Sequence, residues 1–166
     1  MKTHRFTVER VDVTTSRSFD QATTILEAVV PPVDTSTFSQ LVESSASAGD
    51  VRAAVAPMQG ELELMAFAKV TQGALTSLLG TTKKLTTYLV GNPIIANRMF
   101  ERNLAAGLYA PLRVSLFEDS GGTVHFVYDR PSSAFASFGD AEIAAVGALL
   151  DEKMTALSTR LQAGAS

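Results

Sequence analysis

Asn92, Arg113, Tyr88, Tyr109 and Tyr128 are the residues of this 166-residue chain best suited by type to hold a ligand, and they cluster within one quarter of it. Gly91-Asn92-Pro93 reads as a strand exit, an N-cap and a first helical residue, where the missing N–H of proline costs nothing. The free N–H groups of such a helix start, with its partial positive charge, make a generic anion site. Arg113 stands in an apolar run, Leu112-Arg113-Val114-Ser115-Leu116-Phe117. A guanidinium there needs a carboxylate, a carbonyl, an aromatic face or an anion, because an unpaired buried charge is expensive. With the three tyrosine hydroxyls, Asn92 and Arg113 would suit a carboxylate or phosphate. The structural alternative is that Asn92 only caps its helix, while Arg113 pairs with Asp129, Glu118 or a carboxylate across a subunit interface.

His125 is the only histidine outside the N-terminal region, so a general base has one source. His125 and Asp129 are four strand residues apart, about 13 Å, too far to share a metal, and no metal site is expected. Glu61 and Glu63 would alternate on one strand face about 7 Å apart, where a salt-bridged edge is commoner than acid-base work. Ser132-Ser133 lack a nucleophile elbow, and Gly121-Gly122 belongs to a turn rather than a phosphate loop. No cofactor loop is present, and no set of acid, base and nucleophile converges. Enzymatic activity is therefore not the preferred expectation.

The elements that must position these residues follow from periodicity and punctuation. Phe6 to Val13 reads as an edge strand with a slip at Glu9-Arg10. Ser18 to Gln21 is a capping box for a helix that Pro31-Pro32 stops, and Thr37 to Gln40 repeats the pattern. Glu61 to Val70 reads as a central strand, apolar on both faces. A short helix from Gln72 to Leu79 precedes a strand at Leu85–Val90. The helix from Pro93 presents Ile95, Ala96, Met99, Phe100 and Leu104 and runs on towards Gly107. Leu112–Glu118 and Thr123–Asp129 flank Asp119-Ser120-Gly121-Gly122 as a hairpin. An even-numbered loop would put Arg113, Ser115 and Phe117 on one face with Val124, Phe126 and Tyr128, and His125 on the other. Two largely apolar faces would then both be covered. Asp140 caps a long amphipathic helix from Ala141 to about Leu161, beyond which the chain should fray.

Gly91-Asn92-Pro93, Pro111-Leu112-Arg113-Val114 and Tyr128 with Pro131 resemble the domain of unknown function 302 family, the likeness covering about 61–160. The resemblance implies a compact two-layer α+β domain, often seen as a dimer, with no established activity. Residues 31–60 depart from that pattern as an insertion.

Bulk properties narrow the function classes. A chain of 166 residues fits a single domain, 1–166. It is 46% hydrophobic and 19% charged with net charge −3, so nucleic acid and anionic lipid are not expected partners. It has no cysteine, which excludes thiolate chemistry and disulfides. Its longest charge-free runs reach 13 residues, too short to span a bilayer, and no apolar leader precedes the first strand. The reading is an α+β fold, with a mainly antiparallel sheet of about five strands and helices packed on one face. Its expected role is that of a cytoplasmic, non-catalytic binding or interaction protein acting as a homodimer. The alternative is an anionic small-molecule binder or enzyme with its site at the Asn92 helix start and Arg113.

Overall fold

A computed structural model describes residues 1–80 and 84–163 of the chain. The chain end expected to fray, past residue 163, lies outside the described residues. Five strands, β1 (Arg10–Thr15), β2 (Met65–Val70), β3 (Leu85–Gly91), β4 (Leu112–Glu118) and β5 (Val124–Asp129), form one antiparallel sheet in the order β1-β5-β4-β3-β2. Helices α1 (Phe19–Val29), α5 (Pro93–Phe100) and α7 (Ala141–Gln162) cover one face, and α6 (Pro131–Phe135) packs against α7. This is the two-layer α+β fold that the periodicities require.

The caps behave as their residue types dictate. Ser18 and Gln21 form a reciprocal capping box on α1. Asn92 accepts from the N–H groups of Ile94 and Ile95 at the start of α5, and Asp140 accepts from those of Glu142 and Ile143 at the start of α7. α7 buries Ile143, Val146, Leu150, Met154, Leu157 and Leu161 along one stripe. That stripe meets Leu26 of α1, Met99 of α5, and Val90, Val114, Leu116 and Phe126 of the sheet in a single core.

Several boundaries differ from the periodicity reading, each for a tertiary reason. The first strand begins at Arg10, and Phe6 and Val8 lie before it, both exposed, because the ladder with β5 runs from Arg10 opposite Asp129 to Thr15 opposite Val124. The box at Thr37–Gln40 is not a cap. Asp34 caps α2 (Thr35–Glu43), and Ser47 with Asp50 caps a separate α3 (Ala48–Val55). α5 stops at Phe100, where a 3-10 turn over Leu104–Leu108 takes over under the cap of Asn103, leaving Leu104 80% exposed.

β2 starts at Met65 and is an edge strand, not a central one. Both its faces are apolar although it lies at an edge: Pro31 and Val33 bond along the outer side of Ala66, and Phe38 of α2 stacks on Phe67, ring centres 6.1 Å apart. The segment 31–43 thus shields the start of an exposed edge, a common way to blunt one. Glu61 and Glu63 precede the strand and share no strand face. They pair with Arg160 and Lys153 of α7.

The hairpin register also differs. Asp119 N–H donates to the Thr123 carbonyl at 2.9 Å, so the closing pair encloses three residues, Ser120-Gly121-Gly122, with Gly122 at φ +83°. Three-residue loops of this kind end in a left-handed residue, which glycine supplies without strain. An odd loop reverses the parity. Val114 opposes Tyr128, Leu116 opposes Phe126, and Phe117 opposes His125. The face with Val124, Phe126 and Tyr128 therefore carries Leu112, Val114 and Leu116 and is the buried one, while Arg113, Ser115 and Phe117 join His125, Val127 and Asp129 on the face the helices leave open.

Candidate functional site

The residues expected to grip an anion are not brought together. Tyr88, 1% exposed, points into the core, where its hydroxyl donates to Glu27 Oε1 at 2.8 Å. Burial, reinforced by the Glu27 carboxylate, pushes the phenol well above its ordinary value, so Tyr88 stays a neutral donor. Burial alone would raise the Glu27 carboxyl, but bonds from Lys69 and Tyr88 outweigh it and hold the group below its usual range. Tyr128 is also buried, packed on Phe126 with ring centres 5.4 Å apart. Tyr109 is half-buried in an aromatic cluster with Phe6, Phe135 and Phe138.

Asn92 is buried and fully used. Its Oδ1 serves the two cap bonds, and its Nδ2 donates to Gln59 Oε1 at 2.8 Å and to the Glu63 carbonyl at 2.9 Å. The helix start it caps lies on the covered side of the sheet. Arg113 lies on the open side and is exposed, not surrounded by Phe126 and Tyr128 as even parity would have it. Among the described residues no carboxylate lies within 4 Å of the Arg113 guanidinium. It shares a concavity of about 400 Å³ with Tyr109, Leu89 and Asp129. Of the five candidates, only Arg113 and Tyr109 line this concavity together.

The open face forms three cross-strand rows. Arg10 and Leu89 flank Asp129 and Arg113; Asp12 and Thr87 flank Val127 and Ser115; Thr14 and Leu85 flank His125 and Phe117. The Thr87 and Ser115 hydroxyls bond across the middle at 3.1 Å. Leu85, Leu89, Phe117 and Val127 are all half-buried; Leu85 borders Gly73, Ala74 and Ser77 of the short helix that follows β2, and Leu89 borders Val8, Leu108 and Tyr109.

His125 stacks flat on Phe117, ring centres 4.8 Å apart, rather than packing with Leu116. Its Nδ1 lies 2.8 Å from Asp12 Oδ1, and its Nε2 lies 3.4 Å from Asp119 Oδ2. As an imidazolium it donates to both, and the bond to Asp12 is the main reason its pKa is raised. Asp119 Oδ1 also accepts from Gly121 and Thr123, so the carboxylate that fixes the turn also orients the ring. Sequence reasoning missed this Asp12–His125–Asp119 chain. The turn half was visible as a favoured aspartate before Ser-Gly-Gly, whereas Asp12 becomes its partner only once β1 lies beside β5. Among the described residues no three histidine, cysteine, aspartate or glutamate side chains are grouped to hold a metal ion, and no helix is long and apolar enough to cross a membrane.

An antiparallel five-stranded sheet with helices on one side and a mixed apolar and charged face on the other defines the class: a two-layer α+β domain. The model of the domain of unknown function DUF302 matches residues 40–161, and the chain belongs to that family. It is similar in fold to a crystal structure of the uncharacterized conserved protein DUF302 from Bacillus stearothermophilus. The TM-score is 0.64 at 14% sequence identity, with 92% of this chain and 98% of the other covered. No curated protein matches the chain.

Proposed function

We propose that the protein is a non-catalytic binding protein that works in the cytoplasm as a homodimer, two copies meeting through the open faces of their sheets. The observation that carries this reading is the band of half-buried Leu85, Leu89, Phe117 and Val127 on the face of the sheet opposite α1, α5 and α7. Sheet faces in contact with water on one side normally alternate to a polar surface, and a contiguous apolar band marks a contact site. The partner is a second copy because the charges on this face are self-complementary. Arg10 and Arg113 are balanced by Asp129 and by Asp12, which also holds His125, and among the described residues neither arginine has an ion-pair partner within 4 Å. In a two-fold contact, residue i of one copy meets residue j of the other and the reverse, so one Arg-Asp set neutralises its twin. Light scattering at micromolar concentration tests this. Twice the chain mass is expected for the wild type and the single-chain mass for Leu89→Lys, and a wild type that stays monomeric contradicts the reading.

The unpaired Arg113 beside its concavity favours a second reading, in which that guanidinium holds an anionic small molecule on the open face, with Tyr109 at the wall and without Asn92. A thermal-shift screen of small carboxylates and phosphates distinguishes the two: this reading expects a shift that Arg113→Ala loses.

A further inference from the structure

A second hollow lies on the opposite side of the sheet, where β3 and β4 emerge beneath α5 and α7, and it does not depend on the dimer reading. Val90 and Leu112 of the sheet, Met99 of α5 and Leu150 of α7 wall a cavity of about 180 Å³, with Phe67 and Pro111 at its rim. Gly91 allows that rim to form. A Cβ there would stand 3.3 Å from Pro111 Cβ and 3.6 Å from Phe67 Cε2. Phe38 of α2 stacks on Phe67, ring centres 6.1 Å apart.

The chemistry of the lining selects its occupant. Asn92 is the one polar side chain on the wall, and both its amide hydrogens and its carbonyl oxygen are already engaged within the protein. A ligand therefore meets no free side-chain donor or acceptor on the wall, and a charge or hydroxyl turned inward, away from the open side, would be stranded without a partner. An enclosed apolar cavity of about 150 Å³ accepts a benzene ring, and this hollow, open to solvent on one side, has room for one. We propose that this cavity is a binding site for a neutral, apolar small molecule or group about the size of one aromatic ring. The helix start at Asn92, which resembles an anion site in sequence, is instead a polar corner of an apolar one, its amide already bonded within the protein.

Toluene and benzoate, the same ring without and with a carboxylate, are the probes for the full chain. Toluene is expected to raise Tm with concentration, to shift the Met99 methyl resonance, and to give intermolecular NOEs to the Met99 and Leu150 methyl groups. Benzoate at equal concentration is expected to do none of these. Ala96→Leu, which adds an isopropyl group to the cavity wall from α5, should weaken toluene by about tenfold or more. The proposal is overturned if toluene at saturation leaves Met99 unshifted, if benzoate binds as well as toluene, or if Ala96→Leu binds undiminished. Should Ala96→Leu not fold, the wild-type NOEs decide: contacts confined to other parts of the protein also overturn it.

Discussion

His125 shows how a residue with suitable chemistry is held in a structural role. Its raised pKa means that the folded state binds the proton more tightly than the unfolded chain does. The stability this gives is fully present below the unfolded value, about 6.5, and is lost as pH rises through the folded value. Tm followed from about pH 5 to 8 should therefore carry a falling component in the wild type that His125→Gln lacks; identical profiles would show that the Asp12 and Asp119 contacts contribute nothing. Asn92 works in the opposite way, through bonds indifferent to pH. Asn92→Ala removes a cap worth about 0.5–2 kcal/mol and leaves the Glu63 carbonyl without its donor. Its urea midpoint should fall well below that of Arg113→Ala, which should stay within about 0.5 kcal/mol of wild type. A large loss in Arg113→Ala would mean that the guanidinium is structural after all.

At the scale of elements, the hairpin decides which residues face the core. Its three-residue loop requires the left-handed conformation of Gly122, so Gly122→Ala should cost about 1–2 kcal/mol, measured by denaturant unfolding; a neutral result would mean that the turn relaxes without its glycine. Elements whose signals are local were legible in the sequence. The Ser18 box, Asn92-Pro93 and the Asp140 cap each satisfy N–H groups within three residues, and the stripe on α7 repeats without interruption. Parity was not legible, because Asp-Ser-Gly-Gly is compatible with loops of different length and one residue inverts every side chain. Arg113 and His125 were thus assigned to opposite faces although both stand on the open one. Nor could the edge position of β2 be read, since its shield comes from Pro31–Val33 and α2, some 30 residues earlier in the chain. The five candidate ligand residues scattered for the same reason: Tyr88 and Tyr128 obey the buried phase of their strands, and Arg113 obeys the open one.

At the scale of the whole molecule, the fold has two surfaces of opposite character. Beneath the helices the sheet carries the core and the apolar hollow beside Asn92; on the other side it presents leucine, phenylalanine and valine among balanced charges. Three further leucines, Leu75, Leu78 and Leu79, stand 69–82% exposed on and just after the short helix Gln72–Ser77, where β2 passes into β3. Apolar groups left in water at the sheet and at its end fit the proposal of a protein that buries further surface on assembly. The lack of cysteine makes the decisive measurement simple, because one introduced thiol is the only one. Ser115 sits in the middle row of the open face, and two sheets packed face to face lie about 10 Å apart. Ser115→Cys treated with a bis-maleimide of about that span should give covalent dimers in high yield. The same treatment of Ser39→Cys, on the exposed surface of α2, should leave monomers. Ser115→Cys chains that remain monomeric, or Ser39→Cys chains that cross-link equally well, would contradict a dimer built on the open face.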